Sequence, residues 1–129
     1  QHRVLRRILS FVQELVRERP GLRVVIAPHP SQRASIGDEL SAAGLRDQVS
    51  VAAKDTLSTI RESALCVGTF STSLWEAAAL GRPTYVIEVP GYEETLQDIE
   101  SGLFRLAQSP HDLVPFDVPS SRADIFPGG

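Results

Sequence analysis

Apolar residues recur at helical spacing near the start of the chain: Val4, Leu5, Ile8, Leu9, Phe11, Val12, Leu15 and Val16, with Arg and Glu on the opposite face. That stripe predicts an amphipathic helix buried along one side. Pro20-Gly21 ends it. The period then changes. Leu22 to Ala27 is a short run rich in β-branched residues and predicts a strand, followed at its carboxyl end by Pro28-His29-Pro30. Ile36 to Ala43 predicts a short helix closed at Gly44, and Val49 to Val51 a second strand. Asp55 reads as the cap of a helix running to about Ser63, with Leu57 and Ile60 inward. Ser58 stands where a capping box would want Glu or Gln, so that box is incomplete.

The most informative stretch is Cys66 to Pro83, CVGTFSTSLWEAAALGRP. Leu65 to Gly68 predicts a third strand. Thr69-Phe70-Ser71-Thr72-Ser73 is a hydroxyl-rich turn, and Leu74 to Leu80 a helix stopped by Gly81-Arg82-Pro83. Thr84 to Val89 predicts a fourth strand. Pro90-Gly91-Tyr92 turns the chain into a helical stretch near Glu93 to Glu100. Gly102 to Leu106 reads as a short fifth strand, and Ser109-Pro110-His111-Asp112 as the start of a last short helix. From Pro115 onward prolines and glycines dominate, and residues 115–129 read as an irregular tail. Short β runs alternating with helices predict an α/β domain over residues 1–114: a Rossmann-like parallel sheet with helices on both faces. The chain opens inside a helix with no strand before it, which reads as a domain cut by truncation, its first strand missing.

Composition narrows the function classes. A chain of 129 residues is long enough for one domain with a core of its own. Its formal net charge of -3 favours neither a nucleic-acid backbone nor an anionic membrane as a partner. Cys66 is the single cysteine, which excludes an internal disulfide and a multi-cysteine zinc site; its apolar neighbours predict a place in the core. No apolar run reaches the ~18 residues of a transmembrane helix and no signal peptide is visible, so the expectation is a cytoplasmic protein.

Ligands of such sheets bind outside the carboxyl ends of the strands. His29 and the Ser71–Ser73 turn both fall there. His29, held between two prolines, can donate to a phosphate oxygen or simply bond its own loop. Ser71, Thr72 and Ser73 can add donors to an anion at the start of the helix, or can cap it. Glu76 can accept from ribose hydroxyls or close a capping box with Ser73. Glu88, Glu93 and Glu94 are further candidates for the same cleft, the last two reading better as solvated surface. Trp75 reads as core or interface, and Arg82 as a helix C-terminal cation. His2, His29 and His111 show no metal-ligand spacing, so no metal is expected. The sequence has no G-x-G-x-x-G, Walker or G-x-S-x-G motif, and no cofactor is implied.

A strand ending in APHP, with VGTFSTSLWEAAALGRPTYVI about forty residues on, resembles the C-terminal half of two-domain GT-B glycosyltransferases. The resemblance is closest to bacterial capsule and teichoic-acid enzymes that use cytidine-activated donors. His29-Pro30 matches that family's His-Pro motif, and Ser71-Thr72-Ser73 its Ser/Thr-Ser motif; both contact the donor nucleotide in the family. Glu76, Ala77, Gly81 and Pro83 align with the S-x-x-x-E-A-x-x-x-G-x-P run of GT-B donor domains, with Thr72 in the place of its serine. The resemblance spans roughly residues 1 to 110. It implies a binding domain for a nucleotide-activated sugar or glycerol donor, within a glycosyl- or glycerophosphoryl-transferase of surface polysaccharide synthesis. His29, Pro30, Ser71, Thr72, Ser73 and Glu76 would be the binding residues. The family's N-terminal acceptor domain, the usual source of its general base, has no counterpart in this sequence, so the piece alone is not expected to transfer a glycosyl group. The alternative is a non-catalytic GT-B-like binding or assembly module whose polar turn is only a cap.

Overall fold

A computed structural model describes residues 2–53, 55–69, 72–89, 92–113 and 122–127, apart from the side chains at 2, 3 and 94. Six strands form one all-parallel sheet: β1 (Arg23–Ile26), β2 (Val49–Val51), β3 (Leu65–Gly68), β4 (Thr84–Ile87), β5 (Arg105–Ala107) and β6 (Arg122–Phe126). Among the described residues, five α-helices accompany them: α1 (His2–Glu18), α2 (Ile36–Ala42), α3 (Thr56–Arg61), α4 (Ser73–Ala79) and α5 (Leu96–Glu100). The Rossmann-like α/β architecture expected from the alternating periods is what the chain adopts.

Side chains alternate across the sheet, and two apolar layers follow from that alternation. Val24, Ile26, Leu65, Val67, Tyr85, Ile87, Ala123 and Ile125 pack with Ile8, Phe11, Val12 and Leu15 of α1 and Ile36 and Leu40 of α2. Cys66, Val86 and Phe126 point the other way, onto Ile60 of α3 and Leu74 and Ala77 of α4. The predicted stripe of α1 is therefore a core-facing surface, and Cys66 is fully buried as expected. Burial pushes its thiol up to about 12, so it stays protonated and packs as a small apolar group.

The C-terminal region departs from the sequence reading. Residues 115–129 were expected to be irregular, yet Arg122–Phe126 form β6, in the middle of the sheet. The strand order is β2-β1-β6-β3-β4-β5. A doubly wound sheet places its first strand centrally, its second and third outward on one side, and its fourth to sixth outward on the other. Here the last strand fills the position of the first, so the strand expected to be missing has its place taken by β6. Ala123 lies opposite Val24 of β1 and Leu65 of β3, and Ile125 opposite Ile26 and Val67. Two features hide this strand in the sequence. Its centre is a charged residue, Asp124, and Pro127-Gly128-Gly129 follows it, a signature of turns.

Asp124 tolerates full burial because its oxygens are bonded. Arg122 Nε donates to Oδ1 at 2.7 Å, and Ser63 Oγ bonds Oδ2. Burial still outweighs those bonds and raises the carboxyl above its usual range. Gly68, at the end of β3, is needed for close approach. A Cβ there would lie 2.7 Å from the Phe126 carbonyl oxygen and 2.9 Å from Leu74 Cδ2. Its absence lets β3, β6 and α4 converge at the carboxyl end of the sheet.

Candidate functional site

Because the strands run parallel, the loops after β1 and β3 and the carboxyl end of β6 lie on one edge. The connection after β1 runs outward to β2 and that after β3 to β4 on the opposite side, so the switch point at which open α/β sheets bind ligands lies at β6, between them. A cleft of about 210 Å³ lies there. One wall is the loop after β1, with Ala27, Pro28, His29, Pro30 and Arg33. The facing wall is the start of α4, with Thr72, Ser73 and Glu76. Thr56 and Thr59 of α3 and Phe126 at the end of β6 complete it.

His29 is fixed by its own turn. Pro30–Gln32 is a single 3₁₀ turn, with Pro30 at its first position. The Ser31 amide donates to His29 Nδ1 at 3.1 Å, and the His29 amide donates to Gln32 Oε1 at 3.0 Å, a reciprocal cap. An acceptor at Nδ1 places the proton of the neutral ring on Nε2, the nitrogen that these bonds leave for a ligand. The sequence left open whether His29 bonds its loop or a ligand; its two nitrogens allow both.

The hydroxyl turn is organised differently from the sequence reading. Helix α4 begins at Ser73, one residue earlier than Leu74, so Thr72 is its N-cap. Thr72 has helical backbone angles, and its hydroxyl makes no cap bond. Ser73 is the first helical residue, so the Ser73–Glu76 capping box does not form: Glu76 falls one position too late for the N-cap at Thr72. Glu76 is half-buried on the cleft wall. Ser71 lies outside the described residues. Five of the six expected residues, His29, Pro30, Thr72, Ser73 and Glu76, thus share one cleft.

Arg33 was not among the expected residues, yet it lines the cleft beside His29. Its Nη1 lies 3.4 Å from the Ala52 carbonyl oxygen, a long contact. Its position four residues beyond His29 is the signal the sequence offers for it. Thr56 and Thr59 were missed because their place depends on how α3 docks. Thr59 Oγ1 donates to the Asp55 carbonyl at 2.9 Å. The cleft's lining thus combines the guanidinium of Arg33, the carboxylate of Glu76 and the imidazole of His29.

Other expectations resolve elsewhere. Glu88 accepts from Gln108 Nε2 at 2.7 Å and does not line the cleft, and neither does exposed Glu93; the side chain at 94 lies outside the described residues. Trp75 is partly exposed, its ring edge-on to Phe104 at 5.0 Å. Arg82 does serve a helix C-terminus, but that of α3 and not of its own helix. Its guanidinium donates to the carbonyls of Ile60 at 3.3 Å and Arg61 at 3.0 Å. Thr69, the first residue of the turn, is fully buried, and its Oγ1 has no hydrogen-bond partner among the described residues; it does not line the cleft.

Among the described residues no helix is long and apolar enough to cross a membrane. Compared with known proteins by family model, by sequence and by solved structure, the chain finds no match.

Proposed function

We propose that this domain binds the nucleotide of an activated sugar or glycerol donor, cytidine-linked by the resemblance of its motifs. In a complete enzyme it would serve glycosyl or glycerophosphoryl transfer in surface polysaccharide synthesis. One observation carries the reading. His29, Arg33, Thr72, Ser73 and Glu76 come from separate loops and helices and line a single cleft at the sheet's switch point. In this proposal the donor phosphate lies between the two walls. His29 Nε2–H and the Arg33 guanidinium supply charge-assisted donors from one side. The hydroxyls of Thr72 and Ser73 supply donors from the other. Glu76 accepts from a ribose hydroxyl. Holding the phosphate this way neutralises charge that grows on the nucleotide as it leaves. The competing reading is a module whose polar turn only caps a helix; Thr72, the N-cap of α4, makes no side-chain cap bond.

Calorimetric titration with CMP, CDP and UDP tests the proposal. The expected outcome is binding with a Kd below about 1 mM, or about -4 kcal/mol, with a cytidine nucleotide preferred. No heat at millimolar nucleotide, or equal binding by a His29→Ala, Ser73→Ala double variant, would sink it.

A further inference from the structure

We propose that Glu14, Glu18 and His111 form a binding site for a divalent transition-metal ion of the zinc class, on the face of the molecule that α1 covers. Glu14 and Glu18 are one helical turn apart near the C-terminal end of α1. The turn after β5 brings His111 against them, and one donor atom from each residue lies within 4.8 Å of the others. His111 Nε2 is 2.9 Å from Glu18 Oε1. That pair accounts for itself as a hydrogen bond. Glu14 does not: its half-buried carboxylate stands beside a second carboxylate, and among the described residues it has no hydrogen-bond or ion-pair partner. Like charges one turn apart on a helix repel. A cation between them would remove that cost. The C-terminal end of α1 adds the negative pole of the helix dipole to the same spot.

The donor set selects the ion. One imidazole and two carboxylates suit zinc and its first-row neighbours, whereas magnesium prefers oxygen ligands in near-ideal octahedral geometry. Zinc–ligand bonds of about 2.0–2.2 Å put donors of a tetrahedral site about 3.4 Å apart. The histidine's backbone is already held. Ser109 Oγ accepts from the His111 amide at 3.3 Å, and Asp112 Oδ2 accepts from the Gln108 amide at 2.8 Å. The ion would clip α1 to the turn that precedes the return of the chain to β6. Histidine spacing in the sequence gave no hint of this site, because its ligands come from opposite ends of the chain.

The test is calorimetric titration of the tag-free, metal-stripped chain with Zn²⁺, with Co²⁺ as a spectroscopic probe and Mg²⁺ as comparison. The expected result is one Zn²⁺ per chain, a visible Co²⁺ ligand-field spectrum and a raised thermal midpoint. Loss of a supporting contact alone weakens metal sites by about 10–100-fold, so His111→Ala and Glu14→Gln should each weaken Zn²⁺ by at least about tenfold. Unchanged affinity in either variant, Mg²⁺ binding as tightly as Zn²⁺, or no Zn²⁺ binding at all overturns the site.

Discussion

Two groups of polar side chains lie beside the central strand β6 at different heights. Midway along β6, Asp124 is fully buried and its oxygens are bonded by Arg122 and Ser63. At the carboxyl end of the same strand, Phe126 borders a cleft in which Thr72 is exposed and makes no cap bond. The first group closes on itself, and its hydrogen bonds end within the chain. The second opens outward, and its side chains line a cleft. Burial with partners makes polar residues part of the fold. Polar side chains that converge on an open cleft are what a ligand site requires. Chemistry alone does not separate the two groups, since each contains an acid, an arginine and a serine: Asp124, Arg122 and Ser63 in one, Glu76, Arg33 and Ser73 in the other.

The largest effect that would sharpen this contrast is on Asp124. Removing one member of a buried pair strands the other charge, which typically costs about 3–5 kcal/mol. Arg122 retains Glu62 at 3.7 Å as a neighbour and some exposure, so Asp124→Ala is placed at the lower end, about 3 kcal/mol. Urea denaturation would measure it. A loss under about 1 kcal/mol would mean that the cluster is no more integral to the fold than an exposed ion pair.

The pH dependence of the same residue is the next, smaller effect. Burial, the dominant influence, raises the Asp124 carboxyl above its unfolded value of 3.8. The native state therefore holds its proton to higher pH than the unfolded chain does, and stability falls as pH rises. The contribution is complete below pH 3.8 and is lost as pH climbs through the raised native value. Asp124→Asn cannot titrate there. The stability of the parent minus that of Asp124→Asn should thus decline from about pH 4 upward and then level off. A difference that grows with pH would show that attraction to Arg122 outweighs burial, reversing the sign.

The contrast also explains which parts were legible in the sequence. The amphipathic stripe of α1, the strands β1 to β4, the Asp55 cap and the core place of Cys66 all follow from local pattern. Each is set by neighbours along the chain. Asp55 shows the accuracy available there: its Oδ1 accepts from the Ser58 amide at 2.9 Å, as an N-cap should. The strand β6 was illegible because its charged centre is buried by the neighbouring strands and is satisfied in part by Ser63, which lies 61 positions earlier in the chain. In the cleft, the expected residues were visible as motifs. Arg33, Thr56 and Thr59 were not, because α3 and the turn after His29 are brought to the same edge only by the order of the strands.

The smallest effect on stability tests the open group. If Thr72 held the start of α4, its loss would cost about 1 kcal/mol, the usual value for a capping hydroxyl. With no cap bond to lose, Thr72→Ala should shift the unfolding free energy by less than about 0.5 kcal/mol, the range of an ordinary surface substitution. The nucleotide affinity of that variant should nonetheless fall, because the hydroxyl faces the proposed phosphate position. Stability and binding measured on one protein then separate the two roles that the sequence left open for this turn. A variant that loses stability and keeps its affinity would make Thr72 a structural residue and move it to the same side of the comparison as Asp124.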